Sequence, residues 1–372
     1  MYITLSEFNG DHSIYAFVRT ISKLEELQPR CLNVIFHDGD KCYLYPEGKI
    51  FSVSEAEKVR LDMLWEEDVL QFAGTKAYLF YSNESDDNVF MATGKCNSNC
   101  IMCPASESMR KNAETAYIDE LLEIARHIPD NDSHITITGG EPFMMGKPIF
   151  RLLSYFKEFK SKHFYLILTN GRIFSNHEYS RLLAESIPSR AELGIPLHGY
   201  NAGTHDYVTQ AKGSFDQTVS GLRNLLAQEI PIELRYVVSR LTKDYITDMS
   251  EFITQSLSGI SCVKIMGLEM LGNAAVNAEK VWIDYRSAFE SSKKGIDILM
   301  QHGIDVELYN FPLCCVDPGY WGIYRQSITD YKIRYLDECS SCIEKKCCGG
   351  IFAGTLRLVN SVSPITVKKK DA

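Results

Sequence analysis

From residue 88 onward the chain alternates short apolar runs with amphipathic stretches, at intervals of roughly thirty residues, as βα units do. Six runs have strand character: "NVFMAT" (88–93), "HITIT" (134–138), "FYLILT" (164–169), "ELGIPL" (192–197), "IELRYVV" (232–238) and "CVKIM" (262–266). The stretches between them repeat at helical spacing. "YIDELLEIARHI" is one, and "SFDQTVSGLRNLLAQE" sets Phe215, Val219, Leu222 and Leu226 on one face. Near-continuous apolar strands separated by helices predict a parallel sheet covered by helices. Six units fit either an open doubly wound sheet or an incomplete barrel, and in both the chemistry belongs at the carboxyl ends of the strands.

The flanks read differently. Residues 1–86 hold short strands such as "SIYAFVRT", "LNVIFHD", "KCYLYP" and "KIFSVS", broken by "DGD" and "PEG" turns, which predicts a β-rich unit. Beyond the sixth strand come a last helix in "VWIDYRSAFESSKKGIDILMQHG", a further strand in "IDVELYN", a cysteine-rich segment and a solvated "VKKKDA" ending. The boundaries drawn from these shifts are 1–86, 87–311 and 312–372.

Composition narrows the class. The chain has 372 residues, enough for two or three units, and 45% are hydrophobic. Lys plus Arg is 39 against Asp plus Glu 48, a net charge of −9, so nothing in bulk draws it to a phosphate backbone and nucleic acid is not expected as a partner. "MYITLSEFNGDHSIYAF" lacks a basic start followed by an apolar region, and no apolar run reaches the length of a membrane span; a cytoplasmic protein is expected. In a reducing compartment the 12 cysteines read as metal ligands or buried small hydrophobes. Cys31, Cys42 and Cys262 lie in strand-like surroundings and are read as core.

The remaining cysteines form two groups. "GKCNSNCIMCPAS" (94–106) sets Cys96, Cys100 and Cys103 just after the first strand. Three thiolates leave one iron of a four-iron, four-sulfur cluster open, and an open iron can bind an amine and a carboxylate. A zinc site normally shows two close pairs, and His127 is the sole further His or Cys that follows Cys103 closely.

CxxxCxxC after the first strand and "GGEP" (139–142) after the second resemble the radical S-adenosylmethionine (SAM) superfamily. The resemblance implies a SAM-binding [4Fe-4S] cluster on Cys96, Cys100 and Cys103. It also implies that Gly139, Gly140, Glu141 and Pro142 bring backbone and carboxylate to the methionyl amine of SAM. Cleavage of SAM would give a 5′-deoxyadenosyl radical that abstracts hydrogen from substrate. Met102 stands where the family often has an aromatic residue, so its contact to adenine would be aliphatic or through sulfur. Asn170 in "LTNG" and Arg235 in "IELRYVV" sit where relatives often contact the ribose or the methionyl carboxylate. Arg235 needs an anionic partner if it faces inward. His198 is a weaker candidate, read as a satisfied structural histidine, and Met266 and Leu268 are read as packing on adenine or in the core.

The second group lies in "FPLCCVDPGYW" and "LDECSSCIEKKCCGGIFAG". Cys339, Cys342 and Cys348, with Cys314 or Cys315 as a fourth thiolate, suit a closed site for a second cluster or for zinc. Beside a radical SAM core this resembles the auxiliary-cluster extension of SPASM or twitch type, and implies an auxiliary [4Fe-4S] cluster. Together "TGKCNSNCIMCPAS", "TITGGEPF", "LILTNGR", "GIPLHGYNAGTHDYVT", "MGLEMLGNA" and the CxxCx5CGG ending resemble the His-Xaa-Ser system radical SAM maturases, of the C type.

The fold this gives is α/β, a partial (β/α)6 TIM-like barrel with an N-terminal β-rich domain and a C-terminal cysteine-rich extension. The implied partners are a ribosomally made precursor peptide with His-Xaa-Ser repeats, a second radical SAM maturase, and an electron donor such as flavodoxin or ferredoxin. The N-terminal unit is read as a docking site for the leader of that peptide or as a packing domain for the barrel. A sulfatase-maturing type of modifier and a zinc-stabilised peptide-binding module are the alternatives.

Overall fold

The computed structural model describes residues 2–27, 30 and 32–366, with the side chains of Asp11 and His12 excepted. Cys31 and the "VKKKDA" ending lie outside the described residues. Seven strands build the N-terminal sheet: β1 (Tyr2–Thr4), β2 (Gly10–Val18), β3 (Val34–Asp38), β4 (Lys41–Tyr45), β5 (Lys49–Ser52), β6 (Val69–Gly74) and β7 (Lys76–Tyr81). Their order is β1-β7-β6-β2-β3-β4-β5. All neighbours are antiparallel except β2 and β3. Alternation places Tyr15 and Phe17 of β2, with Leu70 and Phe72 of β6, in one apolar cluster that also takes in Cys42.

A second seven-stranded sheet follows, with β8 (Asn88–Thr93), β9 (His134–Gly139), β10 (Phe164–Leu168), β11 (Ala191–Pro196), β12 (Ile232–Val237), β13 (Cys262–Met266) and β14 (Asp305–Tyr309). Strand order follows chain order and every pair is parallel. The six runs read from the sequence are β8 to β13, and "IDVELYN" joins the same sheet as β14. Helices such as Ile118–His127, Pro148–Phe159, Ser214–Leu226 and Tyr285–Gln301 connect the strands. Their apolar faces, including Leu121, Phe156, Leu222 and Phe289, bury against Ile135, Ile167, Leu193 and Val263. Each such side chain contributes about 1.5–3 kcal/mol relative to exposure.

The opposite side of these strands is polar. Gly194 faces it: an added Cβ would sit 2.9 Å from Arg235 Nε and 3.0 Å from Glu233 Oε1. Glu233 is 0% exposed, bonded by Arg235 Nε at 2.5 Å and by Lys264. Lys264 also reaches Tyr309 Oη at 3.1 Å. Buried charges are tolerated when paired in this way.

The two sheets share core. Ile14, Val69 and Tyr81 belong to the same apolar cluster as Leu121 and Ile124 of helix Ile118–His127. The Asn33 N–H donates to His127 Nε2 at 3.1 Å, and Tyr81 Oη meets Ser133 Oγ at 3.0 Å.

Candidate functional site

The segment after β8 turns across the carboxyl ends of the strands, and backbone bonds hold it. Asn99 and Ile101 donate to the Thr209 and Val208 carbonyls at 2.9 Å each, and Cys103 N–H closes a turn onto the Cys100 carbonyl at 3.2 Å. Met102 is buried beneath it with Ile101, Val208 and Leu268, so it serves as core.

Three neighbouring loops clamp this segment. In the turn after β9, Gly140 N–H donates to the Thr93 carbonyl and Glu141 N–H to the Lys95 carbonyl, both at 2.8 Å. A Cβ on Gly139 would lie 2.1 Å from the Thr93 oxygen, and one on Gly140 2.4 Å from that of Lys95. The glycines are needed for close approach of the cysteine segment's own backbone. Pro142 is buried and opens the 3-10 turn Pro142–Met145.

The Glu141 side chain is occupied as well. It is 2% exposed. Oε1 accepts from Thr169 Oγ1 (2.8 Å) and Phe143 N–H (3.2 Å), and Oε2 accepts from Asn170 N–H (2.6 Å). Burial pushes its carboxyl up to about 7 against the pull of those bonds. The Asn170 side chain donates to Asn97 Oδ1 at 2.6 Å and stands 4.0 Å from Cys96 Sγ. Asn170 thereby ties the end of β10 to the cysteine segment. Arg172 adds bonds to the Asn97 carbonyl and to Ser98 Oγ.

The loop after β13 makes the third contact. Asn273 Nδ2 donates to Asn99 Oδ1 (3.1 Å) and to the Cys100 carbonyl (3.0 Å). Gly272, at φ +55, passes the Pro104 carbonyl so closely that a Cβ would lie 2.3 Å from it. On its far side this loop meets the C-terminal segment: Tyr285 Oη bridges the Leu268 carbonyl (3.2 Å) and Thr355 Oγ1 (3.0 Å). Lys332 pairs with Glu269 at 3.2 Å.

Burial raises the Cys96 thiol and pushes Cys100 up to about 12, and the other thiols of the group add to both rises. Buried sulfurs of this kind gain most from ionising when a positive group lies among them, which suits an iron–sulfur core. Among the described residues no three His, Cys, Asp or Glu side chains converge on a single-ion position.

Arg235, an expected cofactor contact, has a partner within the chain. Arg235 points into the barrel and finds its anion in Glu233; two residues apart on one strand, they share a face, a period-2 signal present in "IELRYVV". His198 departs the other way. It is 5% exposed, its backbone N–H donates to His205 Nδ1 at 3.1 Å, and its own ring Nδ1 has no partner. It is not the satisfied histidine expected.

The second cysteine group surrounds a cavity. Cys314, Cys339, Cys342 and Cys348 line it together with Tyr335 and Ile351, and it is small, about 20 Å³. The sulfurs receive backbone donors: Cys348 from Leu313 (3.3 Å) and Gly350 (3.4 Å), Cys342 from Ile365 (3.4 Å). The two doublets separate. Cys315, at 0% exposure, turns from the cavity to Ser361 Oγ at 3.4 Å. Its thiol also donates to Cys314, which is held down at about 6. Cys347 is exposed. Of the candidate fourth thiols, Cys314 faces the cavity and Cys315 does not.

Among the described residues no helix is long and apolar enough to cross a membrane. Curated proteins similar to this chain include the AdoMet-dependent heme synthase of Methanosarcina barkeri, 26% identical over 43% of this chain and 44% of that protein. Another is the sporulation killing factor maturation protein SkfB of Bacillus subtilis, 24% identical over 56% and 52%. The chain spans about half the length of these relatives. Streptococcus suis SuiB, crystallised with its precursor peptide SuiA, superposes with a TM-score of 0.49 at 16% identity, over 59% of this chain and 47% of SuiB. The cysteine segment, the "GGEP" turn and the strands β9 to β12 fall within residues 91–253, the stretch that matches the Radical SAM superfamily.

Proposed function

We propose that this chain is a radical SAM enzyme that modifies a ribosomally made precursor peptide, with Cys96, Cys100 and Cys103 holding the SAM-binding [4Fe-4S] cluster. The observation that carries the reading is the clamp: loops after β9, β10 and β13 all fix the three-cysteine segment at the carboxyl ends of the strands. When bound, the reduced cluster supplies the electron that splits SAM into methionine and a 5′-deoxyadenosyl radical. The chain's part is to hold that segment rigid and dry: Glu141 through Asn170 and Thr169, Asn170 through Asn97, and Asn273 through Cys100.

The names of the relatives favour a peptide as substrate on one side, with SkfB and the subtilosin biosynthesis protein AlbA of Bacillus subtilis, and heme synthesis on the other. Peptide modification is the reading adopted, with His-Xaa-Ser repeats as the first substrate to try. A second radical SAM maturase and a flavodoxin or ferredoxin are the partners it calls for.

The cysteine-lined cavity supports a second [4Fe-4S] cluster on Cys314, Cys339, Cys342 and Cys348. Four thiols, apolar walls and N–H donors aimed at sulfur suit a closed cluster. The N-terminal sheet is the proposed leader-peptide dock, along its edge strand β5, on which Ile50 is exposed. Deleting that sheet would uncover Leu121 and Ile124, so an Ile50→Pro change is the cleaner probe.

Anaerobic reconstitution with iron and sulfide, then incubation with SAM, dithionite and candidate peptides, tests the reading by mass spectrometry. Formation of 5′-deoxyadenosine with a mass change in the peptide is expected. Protein that takes up zinc in place of iron and leaves SAM intact would overturn it.

A further inference from the structure

The cysteine segment sits against a buried positive charge that, among the described residues, no carboxylate pairs within 4.0 Å. Arg110 lies on the short helix Glu107–Lys111 and is 8% exposed. Its neighbours Glu107 and Lys111 pair with each other at 2.6 Å. The Arg110 guanidinium instead donates to the Ala105 carbonyl and to Asn99 Oδ1, both within the segment that carries the three cysteines. Among the described residues it forms no ion pair with a carboxylate within 4.0 Å.

A guanidinium taken out of water without an anion is expensive, because neutral carbonyls replace only part of its hydration. A loop that buries one therefore needs negative charge nearby. On its own helix the one carboxylate it acts on, Glu107, is already paired with Lys111, and the other charges it can face are sulfurs: Arg110 acts electrostatically on both Cys96 and Cys100. Three thiolates outweigh the charge of an oxidised four-iron core, and one added electron makes the assembly more negative still. A fixed buried cation favours the more negative form over the less negative one.

We infer that Arg110 is the counter-charge of the iron–sulfur group at Cys96, Cys100 and Cys103, a positioning residue that raises its one-electron reduction potential. The inference rests on the cluster reading given above. It also explains why Asn99 takes bonds from both Arg110 and Asn273: the pair fixes the guanidinium against the segment.

The test uses the full chain with Cys339 and Cys342 changed to Ala, so that a single cluster is observed, reconstituted anaerobically and titrated with dithionite under electron paramagnetic resonance. Arg110→Gln should shift the reduced-to-oxidised ratio at a given potential at least tenfold toward oxidised, about 59 mV for one electron. Arg110→Lys, which keeps the charge, should stay within about threefold of the parent. Asn99→Asp sets a carboxylate against the guanidinium without removing it and should shift the potential the same way as Gln; it decides the matter if Arg110→Gln loses iron. Gln and Asp variants titrating at the parent potential overturn the inference. Equal shifts in Gln and Lys overturn it too, since lost hydrogen bonds would then be the cause. A parent without any reducible cluster sinks the cluster reading and this inference together, and its missing signal tells that case from the others.

Discussion

The backbone N–H of Asn170 donates to Glu141 Oε2 at 2.6 Å, so the residue after β10 and the turn after β9 are joined through a carboxylate with almost no exposure. Burial raises that carboxyl to about 7. The folded chain then holds a proton that the unfolded chain releases above about 4.5, and the stability this contributes is lost as pH rises through 7. Glu141→Gln removes the titration. The stability of the parent relative to the variant should fall by about 3 kcal/mol between pH 4.5 and 7.5, read from urea unfolding. A flat difference would show that the hydrogen bonds to Glu141 offset its burial.

Gly139→Ala and Gly140→Ala drive a Cβ into the Thr93 and Lys95 carbonyls, which are backbone and cannot swing aside. Each should cost about 1–3 kcal/mol and loosen the cysteine segment, so iron uptake falls with melting temperature. Gly319→Ala is the control, because nothing lies within 4 Å of its Cβ position. Equal melting temperatures for all three variants would remove the clamp from the account.

Iron content distinguishes the cysteine doublets. Cys314→Ser should lower iron from about eight to about four per chain, whereas Cys315→Ser and Cys347→Ser should leave it unchanged. If Cys315→Ser alone halves iron, the fourth ligand is Cys315 and the segment rearranges on loading.

Acid sensitivity follows from five buried histidines, among them His37, which burial lowers as well. Burial lowers His127 and His163, and takes His198 to about 3 and His205 to about 4. Below about 6.5 the unfolded chain binds protons that the folded chain refuses, so stability falls as pH falls. Each histidine adds a slope of about 1.4 kcal/mol per pH unit. His127→Gln, which can still accept from Asn33, should make that slope shallower below about pH 6.5.

The barrel strands and the cysteine segment were legible because each has a local signature: apolar runs at βα spacing and thiols at fixed intervals. What the residues bond to was not. The need for Gly139 and Gly140 comes from carbonyls more than forty residues upstream, beyond any local pattern. Arg110 reads in "ESMRK" as one more charge on a solvated helix, and a turn of the chain alone decides that Cys314 faces the cavity while Cys315 faces Ser361. The Glu233–Arg235 pair could have been read from its spacing, since alternate residues of a strand share a face.

The loop after β13 touches the first cysteine segment through Gly272 and Asn273 and the C-terminal segment through Glu269 and the Leu268 carbonyl. It is a common strut. Whichever cysteine group fills first stiffens a beam on which the other also rests, so loading of the two should be cooperative. Damage at one end, as by Lys332→Ala, should then register as slower iron uptake at the other.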